Sequence, residues 1–170
     1  MARKKVMLVL PPRDVDADMY LTLRRVFEGR GHQVGTTSMA RGAVMAQDGR
    51  SIPVDDTIHH ITRYTWDAYV FMGGEGARLY FDDPHIKKLI EDVKFKTIAA
   101  EGNASALLAQ GNLLARGKKA TGDYHYASMI VEHGGVYTGT PLEVDDKIIT
   151  LREPMYAEQF ANAIAEKIEG

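Results

Sequence analysis

Thr97-Ile98-Ala99-Ala100-Glu101-Gly102-Asn103-Ala104-Ser105-Ala106-Leu107-Leu108-Ala109 is the stretch that decides the fold. A short apolar run stops at a charged residue. Glycine and small residues follow, and then an Ala/Leu-rich segment with helical spacing. That pattern describes a buried strand turning sharply into a helix at the edge of a parallel sheet. Many α/β enzymes hold a nucleophile at such an elbow, over a backbone N–H and at the positive end of a helix. Here the elbow carries Glu101, and none of the 170 residues is a cysteine.

Upstream of the elbow, Lys5 to Leu10 reads as a buried strand, ended by Pro11 and Pro12. Asp14 and Asp16 can cap the next helix, whose apolar face is Met19, Leu23, Val26 and Phe27. His32 to Ser38 is a second strand, and Ala43 to Val54 alternates around Asp48-Gly49 as a hairpin. Trp66 to Met72 is another buried strand, broken by Gly73-Gly74. Pro84 suits the first turn of a helix with Ile86, Leu89, Ile90 and Val93 inward. Downstream, the spacing predicts a helix over 104–115, a strand over 118–121 and a helix over 124–133. Two short strands over 136–150 and a closing helix from Pro154 through Ile168 complete the chain. Alternating strands and helices imply a single α/β domain over residues 1–170, a mostly parallel sheet with helices on both faces.

The composition is that of a globular domain, 45% hydrophobic and 26% charged, with a formal net charge of -2. Both signs are scattered, so nucleic acid and membrane surfaces are not expected partners. The first apolar run is too short for a membrane span and lacks a cleavage pattern, which favours a cytoplasmic protein. Without cysteine there is no disulfide, no thiolate nucleophile and no zinc–thiolate site. Gly111 to Lys119 misses the phosphate-loop spacing by one residue, and no Gly-x-Ser-x-Gly is present.

Several segments, in order, resemble the ThiJ/PfpI family. Lys5-Val6-Met7-Leu8-Val9-Leu10 followed by an acidic loop and Gly31-His32-Gln33-Val34 is similar to its opening. Trp66-Asp67-Ala68-Tyr69-Val70-Phe71-Met72-Gly73-Gly74 resembles its Asp-Ala-Leu-Val-x-Pro-Gly-Gly strand. Leu113 to Thr121 resembles its Leu-Leu-x-Gly-x-Lys-x-Thr segment, lengthened by a residue or two, and 146–154 resembles its ending. The resemblance implies a flavodoxin-like three-layer sandwich of the class I glutamine amidotransferase kind. It also implies a homodimer or larger ring. The family's elbow reads Ala-x-Cys-x-Gly-Pro. Anchoring on Leu107-Leu108-Ala109 puts Glu101 at the cysteine, whereas anchoring on Thr121 puts Asn103 there; the strand end favours Glu101. The family's loop acid corresponds to Asp18, and its later histidine to Asp123, with His125 two residues on.

The expected site therefore holds Glu101, Asp18 and Asp123 as candidate acid–base groups. Two neighbouring carboxylates push one pKa upward, so one of them can hold a proton and act as a general acid. Alternatively Glu101 caps the helix, or fills the oxyanion position itself. Gly73, Gly74, Gly102, Asn103 and His125 are the candidate binding residues, glycines letting a ligand approach the backbone. Asp18, Glu101, Asp123 and His125 come from separate segments without ligand spacing, so neither metal nor cofactor is expected. The expected function is binding of a small anionic or carbonyl ligand by a stress-related homologue without thiol catalysis, a pseudoenzyme. The alternative is an acid–base enzyme on a small carbonyl compound using Glu101 and Asp18. A protease-like or deglycase-like hydrolase is implied by family label only.

Overall fold

In the computed structural model, which describes residues 2–170, the chain opens with β1 (Lys5–Val9), α1 (Ala17–Gly29) and β2 (Gln33–Ser38). The short strands β3 (Ala43–Met45), β4 (Ser51–Pro53) and β5 (Asp56–Thr57) follow. Then come β6 (Ala68–Phe71), α2 (Pro84–Val93), β7 (Thr97–Glu101) and α3 (Ser105–Gln110). The remainder is β8 (Lys119–Ala120), α4 (Ala127–Glu132), β9 (Val136–Tyr137), β10 (Leu142–Asp145), β11 (Ile148–Leu151) and α5 (Ala157–Glu169).

Seven strands form the main sheet in the order β10-β11-β7-β6-β1-β2-β5. All neighbours are parallel except β10 and β11, which form an antiparallel hairpin at one edge. Strands buried on both faces explain the near-continuous apolar runs. Val6, Leu8 and Leu10 pack one way, against α1 and α5; Met7 and Val9 pack the other way, against α2, α3 and α4. The register carries this alternation across the sheet: Val6 lies between Val34 and Ala68, and Ala99 between Val70 and Ile149. Asp16 caps α1 by accepting from the Met19 N–H (3.1 Å), and Asp83 caps α2 just before Pro84.

Several elements are shorter than their spacing predicts. The helix after the elbow ends at Gln110 rather than 115, because Asn112 (φ 61) and Arg116 (φ 67) take the left-handed conformation. The helix expected over 124–133 opens as a 3₁₀ turn (Tyr124–Tyr126) and is α-helical only over α4. The strand over 118–121 reduces to β8, which pairs with β9 outside the main sheet. A 3₁₀ segment, Glu75–Tyr80, follows Gly73-Gly74. Among the described residues no helix is long and apolar enough to cross a membrane.

A polar clamp closes α5 onto the start of the sheet. The Glu169 carboxylate accepts from Arg30 (2.5 Å) and from the nearly inaccessible His32 ring (2.6 Å). The Lys4 amide donates to His32 Nδ1 (3.1 Å), so the ring proton sits on Nε2 and is given to Glu169. Hydrogen bonding from Arg30, then from His32, holds the Glu169 carboxyl down at about 2, from an ordinary 4.5. A depressed carboxyl stabilises the fold above the unfolded value, and that contribution is lost as pH falls from about 4.5 towards 2. Glu169→Gln should cost about 2 kcal/mol at pH 7, read by urea unfolding. The difference from the parent should shrink at the acid end of that window.

Candidate functional site

The elbow forms where β7 leaves the sheet. Glu101 ends the strand in extended conformation (φ -126, ψ 147), and Gly102 makes the bend at φ +61. A nucleophile at such a turn sits on the strained residue itself. The positive φ of this turn falls on Gly102, and a Cβ built on it would meet nothing within 4 Å. Glu101, expected at the bend, stands one residue earlier, and Asn103 one residue later.

Their side chains turn back onto the loop that follows β6. Gly73 donates its N–H to Glu101 Oε1 (2.5 Å). Gly74 donates to Asn103 Oδ1 (3.2 Å), and Asn103 Nδ2 returns a bond to the Gly74 carbonyl (2.9 Å). The loop can come this close because neither residue has a side chain. A Cβ on Gly73 would lie 2.6 Å from the Glu101 carbonyl, and one on Gly74 (φ +123) would lie 2.2 Å from the Asp14 carbonyl. Tyr80 anchors the other end of this loop: its hydroxyl donates to the Leu10 carbonyl (2.7 Å) and accepts from the Met39 N–H (3.0 Å).

Glu101 is 7% exposed. Burial pushes its carboxyl up to about 7; the Gly73 N–H opposes this and the negative charge of Asp16 adds to it. The acid whose charge acts on Glu101 is Asp16, which the sequence marked only as a helix cap. Asp18 does not face the elbow. Its side chain is 89% exposed and pairs with Arg50 at 2.9 Å, because two further steps along α1 carry it to the outer surface.

Asp123 reaches the elbow through its backbone, whose N–H donates to the Gly102 carbonyl (3.0 Å). Its carboxylate instead accepts from the His125 N–H (2.9 Å) and meets His125 Nδ1 (2.8 Å). The His125 ring stands in solvent, 84% exposed. Asp18, Glu101, Asp123 and His125 are thus not gathered into one cluster. Beneath the bend, Gly122 packs so closely that a Cβ there would lie 2.6 Å from Ser105 Oγ, a buried hydroxyl with no hydrogen-bond partner among the described residues. The neighbouring open groove, about 560 Å³, is lined by Arg13, Asp14, Glu75, Arg78, Leu79 and Phe81.

The Gly73 and Gly74 amides are thus both taken up by side-chain oxygens, of Glu101 and Asn103. The model of the DJ-1/PfpI family matches residues 4–167. The chain is 28% identical to an uncharacterized protein of Methanocaldococcus jannaschii, over 99% of its own length and 84% of that protein's. It is 26% identical to a glutathione-independent glyoxalase of Caenorhabditis elegans, over 99% and 91%. A ThiJ/PfpI domain protein from Brachyspira murdochii superposes with a TM-score of 0.90 at 21% identity, covering 99% of this chain and 98% of that one. With its doubly covered parallel sheet and its bend after β7, and without a single cysteine, the chain belongs to the DJ-1/PfpI family.

Proposed function

We propose that this protein binds a small carboxylate or carbonyl compound at the elbow and does not turn it over by thiol chemistry. One observation carries the reading: the two amides that would hold a substrate oxygen already hold side-chain oxygens of Glu101 and Asn103. A ligand carboxylate or carbonyl oxygen takes the place of Asn103 Oδ1 on the Gly74 N–H, the longer and weaker of the two bonds. The relative named as a glyoxalase supplies the compounds to test. Glyoxylate and methylglyoxal should raise the melting temperature in proportion to the logarithm of their concentration. Proton NMR of the same mixtures should show no loss of methylglyoxal over a no-protein control. Catalysed loss that survives in Glu101→Gln overturns the proposal.

Catalysed loss abolished by Glu101→Gln would establish the second reading, an acid–base enzyme. What favours that reading is the Glu101 carboxyl, raised to about 7 and so able to give and take a proton near neutrality. Self-association belongs to the proposal as well. Leu21 and Met45 stand exposed on α1 and β3, and Met45 accepts from the Asp14 N–H beside the elbow.

A further inference from the structure

We propose a second binding site, at the opposite end of β7 from the elbow, for a small organic anion with a phosphate or carboxylate head on an apolar body. β7 spans five residues, about 16 Å at the rise of a strand, so the two sites are separate. At the far end three elements begin close together. Lys96 precedes β7, Lys118 precedes β8, and Lys147 precedes β11. With Lys94 they line a groove of about 240 Å³ whose apolar lining includes Leu113 and the buried Ile148. Phe95 stands at its edge, 77% exposed.

The charges are unbalanced. Four ammonium groups meet two carboxylates, Asp145 and Asp146, in the same groove. Lys94 is taken up by Glu91 (3.0 Å). Asp145 accepts from the Lys119 backbone N–H (2.8 Å). Lys147 donates to the Phe95 carbonyl (3.3 Å), a neutral partner. Among the described residues Lys96, Lys118 and Lys147 have no carboxylate within 4.0 Å. Lys96 and Lys118 are half-buried in the groove wall. The chain as a whole carries a net charge of -2, so this positive excess is local. An anionic head between Lys96 and Lys118 supplies the missing charge-assisted bonds. An apolar body then covers Leu113 and lies along Phe95, contacts that inorganic phosphate cannot make.

Phenyl phosphate and inorganic phosphate are the probes, followed by ¹H–¹⁵N correlation NMR on the full chain at low salt. Phenyl phosphate should shift the amides of Lys96, Leu113, Lys118 and Ile148 along a saturating curve. Inorganic phosphate should bind there at least about fivefold more weakly, for want of apolar contact. The double substitution Lys96→Gln and Lys118→Gln keeps most of both side-chain stems and should weaken phenyl phosphate at least about tenfold. Should that variant unfold, 1 M sodium chloride on the parent gives the same readout, since screening must weaken a charge-held ligand. Shifts that grow linearly without saturating, or a saturating curve unchanged by the double substitution or by salt, overturn the proposal. Equal binding of the two phosphates overturns the apolar part of it.

Discussion

Gly102→Cys is expected to turn a chain with no thiol into one with a reactive thiol at the bend. Space is available, since a Cβ on Gly102 would touch nothing within 4 Å. The backbone is the obstacle, because φ +61 is the left-handed region. A side chain there costs about 1–2 kcal/mol, visible as a lower urea midpoint. The new sulfur would stand in open space at the turn, next in sequence to Glu101, whose carboxyl is raised to about 7. Iodoacetamide followed by intact-mass analysis measures the outcome. Glu101→Cys is the matched control, placing its sulfur at a position only 7% exposed. Alkylation should be at least about tenfold faster at residue 102, by access alone. Equal or faster alkylation at residue 101 would mean that the nucleophile position had been assigned to the wrong residue.

The second large effect is on the pH dependence of stability. The Glu101 carboxyl titrates near 4.5 when unfolded and at about 7 when folded. The native state therefore holds the extra proton between those values. The fold gains from protonated Glu101 at acid pH and loses that gain as pH rises through about 7. The full gap corresponds to about 3 kcal/mol. Glu101→Gln keeps an acceptor for the Gly73 N–H and removes the charge. It should be more stable than the parent by up to about 3 kcal/mol at pH 8, with little difference at pH 4.5. Urea unfolding of both proteins at five or six pH values decides it. A constant difference across that range would show that the carboxyl is not held protonated by burial.

The order of strands and helices was legible because it rests on local periodicity. Val6, Leu8 and Leu10 must face one helix layer and Met7 and Val9 the other, whatever the rest of the chain does. The site was legible only in part. Glycine takes positive φ more cheaply than any other residue, and the positive φ of the turn falls on Gly102, whereas the end of the apolar strand favoured Glu101. The choice between Asp16 and Asp18 was beyond local reasoning. Two residues separate opposite faces of a helix, so the acid that meets the elbow depends on where α1 starts and how it packs. The side-chain bonds of Glu101 and Asn103 to Gly73 and Gly74 join segments 28 and 29 residues apart, which no spacing rule links.

The His32 ring touches both extremities of the polypeptide, one nitrogen taking the Lys4 amide proton and the other reaching the Glu169 carboxylate. Lys4 and Glu169, near the two ends of the described residues, thus lie side by side. A short covalent bridge between them would make a closed loop without disturbing either helical layer. New ends could then be opened at the exposed Asp48-Gly49 tip, giving a circularly rearranged protein with its bend after β7 intact.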